Sequence, residues 1–182
     1  MALPYHGDPE FLHMPVPVIQ YQAALRVAMK ALKIPLICGI EIGLGWGASA
    51  AAFLDFFKEG KLFSHDVNDW LPAKAVLEEK YPHRFKYMHA GDASMWANDI
   101  CQWLYIDGDH SKDGVLRDIQ QYLPRLCLGG VLCFDDYHEP SCPEVKIALD
   151  EWCFKNDVKL IEAGGPTGIV YWIKDKKTAW PI

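Results

Sequence analysis

The stretch Leu36-Ile37-Cys38-Gly39-Ile40-Glu41-Ile42-Gly43-Leu44-Gly45-Trp46-Gly47-Ala48-Ser49 decides the fold. Its first part, Leu36 to Ile42, is a short apolar run that reads as a buried strand. Three glycines at alternate positions follow. The chain then turns helical from Ala48 to Lys58, with Gly60 as the stop. Strand, glycine turn and helix make the opening half of a crossover unit. Glycines let the backbone turn tightly and come close to a ligand. The helix behind them offers free amides to a negative group.

Upstream, Tyr21, Leu25, Ala28 and Leu32 recur at three- and four-residue spacing, which predicts a helix over Val18–Leu32 behind Pro15 and Pro17. Downstream, strand patterns at Lys61–Val67, Phe85–Ala90, Trp103–Ile106 and Val131–Phe134 alternate with helical patterns. The helices are Leu71–Lys80, Ser111–Leu126 and one opened by Pro143; Gly129 and Gly130 end the connection into the fifth strand. Such alternation builds a mostly parallel sheet. Val158–Glu162 and Ile169–Ile173 are separated only by a turn rich in glycine and proline, too short for a parallel crossover, so they form an antiparallel hairpin. The expected fold is α/β: a doubly wound, Rossmann-like sheet of seven strands, mostly parallel, closed by a C-terminal antiparallel hairpin.

At 182 residues the chain is the size of one domain, expected over residues 18–182. Residues 1–17, with four prolines and Tyr5, His6, Phe11 and His13, form an N-terminal arm or a lid over the site. An arm would make the protein a homodimer. The net charge is −6, from 18 basic against 24 acidic residues, which argues against nucleic acid as the main partner. No apolar run approaches the ~20 residues of a membrane span, and Met1 to Pro17 lacks the pattern of a signal peptide. The six cysteines form no CxxC pair, which fits reduced thiols and a cytoplasmic protein.

In an open parallel sheet, ligands bind beyond the carboxyl ends of the strands, so the polar residues there carry the function. Gly43, Gly45 and Ala48 satisfy the dinucleotide pattern G-x-G-x-x-A, which keeps a nicotinamide oxidoreductase open as an alternative. Glu41 opposes it: an acid before the first glycine repels a pyrophosphate and suits a ligand with a positive amino group. Asp66, 19 residues after Gly47, can accept both hydroxyls of a ribose, a need that either nucleoside cofactor has. Asp92 and Ala93, in Gly91-Asp92-Ala93-Ser94, can meet an adenine, or Asp92 can cap a helix. Trp46 can stack on the nucleoside.

Asp107-Gly108-Asp109-His110 ends the fourth strand and Asp135-Asp136-Tyr137-His138 the fifth. Strands expected side by side bring four carboxylates to one crevice. Either a divalent cation such as Mg²⁺ relieves their repulsion, or some of them turn outward and cap helices. His110 is a base candidate or a solvated loop histidine. His65 and His89 are structural candidates, and His138 is either structural or lines the mouth of the crevice.

Taken in order, EIGLGWGAS, Asp66, GDAS, YIDGDH, LGG and CFDDYH resemble a class I S-adenosylmethionine-dependent methyltransferase over Leu36 to Ile173, nearly the whole chain. DGxH after the fourth strand and DD after the fifth resemble the small, metal-dependent O-methyltransferase branch that holds the catechol and macrolide sugar enzymes. The resemblance implies S-adenosylmethionine as cofactor and a small hydroxylated acceptor as partner. It implies Glu41, Gly43, Gly45 and Gly47 around the methionine portion, Asp66 on the ribose, and Asp92 with Ala93 on the adenine. It further implies Asp107, Asp135 and Asp136 as ligands of Mg²⁺ or a similar ion, and His110 as general base beside Asp107. The catechol type has lysine at the base position and asparagine as third ligand. His110 and Asp136 stand there in this chain, so the sugar type is closer. A non-catalytic module that only binds the nucleoside is the other alternative, opposed by the retention of His110.

Overall fold

The computed structural model describes residues 18–69, 71–89 and 100–175. The arm or lid expected over residues 1–17 and the adenine residues Asp92 and Ala93 lie outside the described residues. The elements are α1 (Val18–Ala31), β1 (Cys38–Ile42), α2 (Ala48–Phe56), β2 (Lys61–Asp66), α3 (Leu71–Lys80), β3 (Phe85–His89), β4 (Cys101–Ile106), α4 (Lys112–Tyr122), β5 (Leu126–Phe134), α5 (Pro143–Asn156), β6 (Ile161–Gly164) and β7 (Ile169–Ile173). The sheet has seven strands in the order β3-β2-β1-β4-β5-β7-β6. Strands β1 to β5 pair in parallel, while β7 runs antiparallel to both β5 and β6. The doubly wound sheet with a terminal hairpin is as the sequence reads, and the returning strand of that hairpin inserts beside β5.

Strand alternation sends side chains to two apolar layers. From β4, Trp103 and Tyr105 enter the layer under α1, α2 and α3, with Leu25, Met29, Phe53 and Leu77. Leu104 and Ile106 enter the layer under α4 and α5, with Val115, Ile119, Leu149 and Trp152. Central strands with both faces covered show as continuous apolar runs, and this is why they were legible.

Three boundaries differ from the sequence reading by three residues or more. Helix α4 stops at Tyr122 instead of Leu126, because Pro124 tightens Leu123–Arg125 into a 3-10 turn. Strand β5 starts at Leu126, so Gly129 and Gly130 lie inside it; the Gly129 N–H donates to Lys174 O at 2.7 Å and the Lys174 N–H to Gly130 O at 2.8 Å. Strand β6 starts at Ile161, not Val158. Asp157 ends α5 at a left-handed φ of 51°, and the chain needs the residues after it to turn back toward the sheet.

Candidate functional site

From β1 the chain winds outward to β2 on one side and to β4 on the other, so a crevice opens at the carboxyl ends of β1 and β4. Two backbone hydrogen bonds hold its floor, Gly43 N–H to His65 O at 2.7 Å and Asp107 N–H to Ile42 O at 2.8 Å. Gly43 has φ 90°, and a Cβ there would stand 1.8 Å from Asp107 O. Only glycine lets the two strand ends approach this closely. Gly45 and Gly47 are also left-handed, at φ 48° and 76°, and Gly47 caps α2.

The loop amides have a partner within the chain. Asp66 Oδ2 accepts from Leu44 N–H at 2.8 Å and Gly45 N–H at 3.1 Å, and its Oδ1 accepts from Asn68 N–H at 2.8 Å. The glycine loop is thus a nest around a carboxylate supplied by β2.

Glu41 stands behind this loop. It is 1% exposed, accepts hydrogen bonds from the Ser49 and Ser64 hydroxyls, and is not among the residues that line the cavity. Burial pushes its carboxyl up to about 7, against those two hydrogen bonds.

A cavity of about 670 Å³ fills the crevice. Gly43, Leu44, Gly45, Trp46 and Asp66 line one end, and Asp107, His110, Asp135, Asp136, Tyr21 and Thr167 line the other. Gly47 is the remaining loop residue outside this lining. A Cβ at Gly45 would meet no atom within 4 Å, so this turn faces open space.

At the far end His110 lies between two carboxylates. Its Nε2 is 3.2 Å from Asp136 Oδ2 and 3.4 Å from Asp107 Oδ1. The bond to Asp107 raises the imidazole pKa to about 9, against the opposing effect of burial. Withdrawal from water, and next the Asp135 charge, hold the Asp107 carboxyl well above its usual range. The same two causes raise Asp136 to about 6. Asp136 also has a left-handed backbone, φ 58°, a conformation that aspartate tolerates better than most residues.

Asp135 is more heavily bonded. Its Oδ2 accepts from Tyr105 OH at 3.0 Å; its Oδ1 accepts from Thr167 Oγ1 at 2.5 Å and from Asp136 N–H at 2.8 Å. Tyr105 OH lies 2.5 Å from Tyr21 OH, so a hydroxyl chain runs from α1 to the end of β5. Asp109, the fourth carboxylate, takes the structural role: it accepts from Ser111 N–H at 2.9 Å, faces Arg117 at 3.4 Å and shapes the entry to α4.

Among the described residues, the histidine, cysteine and acidic side chains whose ligand atoms all lie within 4.8 Å of one another are His110, Asp136 and Cys142. This trio shares Asp136 with the expected Asp107–Asp135–Asp136 set and adds Cys142. The sequence reading passed over Cys142, Thr167, Tyr105 and Tyr21. Cys142 has no characteristic spacing from its neighbours here, though its place just before Pro143 puts it at a helix start near the crevice. Thr167 sits in a turn readable only as a turn.

A family profile described as a methyltransferase domain matches residues 40–137, just over half of the chain. No curated protein matches it. Among solved structures, the chain is similar to apo CalS11, a TDP-rhamnose 3'-O-methyltransferase of calicheamicin biosynthesis, with TM-score 0.68, 14% identity, and coverage of 85% of this chain and 79% of that one. It is similar to the O-methyltransferase NovP, with TM-score 0.65, 17% identity, and coverage of 87% and 81%. It is also similar to MycE, a methyltransferase of the mycinamycin pathway solved with Mg, SAH and mycinamycin VI, with TM-score 0.58, 15% identity, and coverage of 83% and 48%. At these identities the likeness is one of fold. With the family profile, it closes the question of kind: the chain belongs to the methyltransferase domain family and has the class I S-adenosylmethionine-dependent methyltransferase fold.

Proposed function

We propose that this protein transfers a methyl group from S-adenosylmethionine to a hydroxyl of a small acceptor, with His110 as general base and a divalent cation beside it. One observation carries the reading. A single cavity joins the glycine loop and Asp66 to His110 flanked by Asp107 and Asp136.

The cavity fits the cofactor by size and charge. Pockets for ligands of this kind span roughly 300–1,000 Å³. Two loop amides that could meet a diphosphate, Leu44 and Gly45, are already bonded to Asp66, and the charged side chains of the lining are mainly acidic. That surrounding suits a ligand with ammonium and sulfonium charges, and it opposes the nicotinamide alternative. Asp66 would hold the ribose hydroxyls, since its Oδ1 accepts only one hydrogen bond among the described residues. Gly43, Gly45 and Trp46 would meet the methionine portion. Gly47 and Glu41 would act by bracing the loop.

The donor set also fits a cation. Asp107 and Asp136 are carboxylates that burial and the neighbouring Asp135 charge make costly to ionise unaided. They would hold the ion, with Asp135 beside them fixed by Tyr105 and Thr167. When bound, such an ion lowers the pKa of a hydroxyl in contact with it. His110 Nε2 is the atom that would accept the hydroxyl proton. Positive charge delivered near Asp107 and Asp136 offsets the carboxylates that keep this imidazole protonated, and so frees it to act. Tyr21 lines the same cavity and holds Tyr105 in place.

MycE, the relative solved with Mg and SAH, and two relatives described as O-methyltransferases support the choice of cofactor, ion and acceptor class. Calorimetry with S-adenosylhomocysteine and with NAD tests the reading. S-adenosylhomocysteine should bind and NAD should not. Asp66→Ala should weaken binding by about 1–3 kcal/mol, the loss of charge-assisted hydrogen bonds. NAD binding without a response to S-adenosylhomocysteine would reverse the assignment.

A further inference from the structure

Tyr21 is the cavity residue whose hydrogen bonds fix what it can offer a ligand. It belongs to α1, is 4% exposed and lines the crevice. A tyrosine hydroxyl keeps its proton at neutral pH and has that one proton to give. Burial, and then the Asp135 and Asp107 charges, hold the Tyr21 phenol still higher. Tyr105 gives its proton to Asp135 Oδ2 at 3.0 Å. The 2.5 Å contact between Tyr21 OH and Tyr105 OH therefore carries the proton of Tyr21. This leaves Tyr21 Oη as an acceptor, and no donor reaches it among the described residues. Other hydroxyls of the cavity wall are spent in the same way. Ser49 donates to Glu41, and Thr167 Oγ1 donates to Asp135 Oδ1 at 2.5 Å. Tyr21 also stands on the side of the glycine loop. Its neighbour Gln22 donates from Nε2 to Ala48 O at 3.1 Å, where α2 leaves the loop, and its partner Tyr105 sits opposite Glu41 in the β1–β4 register.

We propose that Tyr21 Oη accepts a hydrogen bond from the α-ammonium of the cofactor's methionine portion and so sets which way that portion lies. The inference rests on the S-adenosylmethionine reading above. The methionine portion ends in an ammonium and a carboxylate. An oxygen that has already spent its proton cannot hold the carboxylate, which is acceptor-only as well. The ammonium brings three protons and a positive charge that Asp107 and Asp135 attract. It therefore turns toward Tyr21 and the end of β4, and the carboxylate turns away. A neutral hydroxyl of the methyl acceptor could donate to the same oxygen, but it carries no charge for those carboxylates to attract. Tyr105 is a positioning residue in this scheme: it takes the proton that Tyr21 would otherwise point into the cavity.

Calorimetry on the full chain tests this with S-adenosylhomocysteine and with its deaminated analogue, in which hydrogen replaces the ammonium group. The parent should bind S-adenosylhomocysteine about tenfold or more tightly than the analogue, the share of a hydrogen bond to a charged group. Tyr21→Phe keeps the ring and should remove most of that preference. Its affinity for S-adenosylhomocysteine should fall about tenfold, and its affinity for the analogue should stay within about twofold of the parent's. Tyr105→Phe should narrow the preference too, because Tyr21 can then turn its proton into the cavity; it reads the same link if Tyr21→Phe does not fold. An equal loss for both ligands would make Tyr21 a packing contact and overturn the proposal. So would a parent that does not distinguish the two ligands. S-adenosylhomocysteine binding that Tyr21→Phe leaves untouched discards this inference alone, since the oxygen then serves the methyl acceptor or no ligand. A parent that binds neither ligand discards the cofactor reading along with it.

Discussion

Gly43→Ala and Gly45→Ala together test whether the glycine loop is built for approach or for access. At Gly43 the new Cβ would fall 1.8 Å from Asp107 O, where real contacts stay beyond 3.0 Å. The strand ends would have to part by about 1.2 Å. That movement breaks the hydrogen bonds from Gly43 N–H to His65 O and from Asp107 N–H to Ile42 O, each about 1 kcal/mol. The left-handed backbone adds roughly 1–2 kcal/mol. The sum is roughly 3–4 kcal/mol, or a fall in Tm of roughly 6–16 °C for a chain of this size. At Gly45 the added methyl meets no atom within 4 Å, so only the left-handed strain remains, about 1 kcal/mol and a few degrees. The same methyl projects where the loop faces open space, so cofactor affinity should fall about tenfold or more. Thermal melts and S-adenosylhomocysteine calorimetry on both variants read the contrast. The reasoning fails if Gly43→Ala melts within a few degrees of the parent, or if Gly45→Ala is the more destabilised of the two.

Three further outcomes follow from the crevice. His110→Ala should lower turnover roughly 10²–10⁴-fold, the usual share of a general base, with little change in cofactor affinity; steady-state kinetics beside calorimetry would show it. Asp107→Asn should bring the His110 pKa down from about 9 toward 6.5, because the bond to Asp107 is the largest cause of the rise; an imidazole titration by NMR that stays near 9 would refute that cause. Glu41→Gln should flatten the pH dependence of stability. The Glu41 pKa is raised from 4.5 to about 7, so the folded state holds the proton more tightly and stability is lost as pH rises through that window. The glutamine variant should avoid a loss of up to about 3 kcal/mol by pH 8, which urea melts at pH 5 and pH 8 can measure.

The fold was legible because its central strands are covered on both faces and separated by helices of clear periodicity. What escaped were places where one residue overrides a pattern. Pro124 ends α4 early although Leu126 continues the apolar spacing. Gly129 and Gly130 look like a stop but lie inside β5, where a Cβ at Gly130 would stand 3.0 Å from Gln102 O. In the site, the strand ends announced Gly43, Gly45, Asp66, Asp107, His110, Asp135 and Asp136, since topology alone brings them to one crevice. Their partners were not legible. Thr167 reaches Asp135 because β7 pairs with β5 in a register that sets Val170 opposite Phe134, which folds the preceding turn back over the end of β5. No local pattern encodes such a contact.

The role of Asp66 shows how geometry sharpens a choice that spacing leaves open. An acid at the end of the second strand serves a ribose in either nucleoside cofactor, so its position does not discriminate. Its hydrogen bonds do. By accepting from Leu44 and Gly45, Asp66 places a negative charge in the nest where a dinucleotide fold would seat its diphosphate. A diphosphate entering that loop would meet the carboxylate, and the Leu44 and Gly45 amides are already bonded to that carboxylate. At the other end of the cavity stand Asp107, Asp135 and Asp136, with Arg117 turned to Asp109 and His110 the cation nearest Asp107 and Asp136. Both ends therefore favour positive charge. A nucleoside that carries ammonium and sulfonium groups meets that demand at one end, and the divalent ion proposed above would meet it at the other.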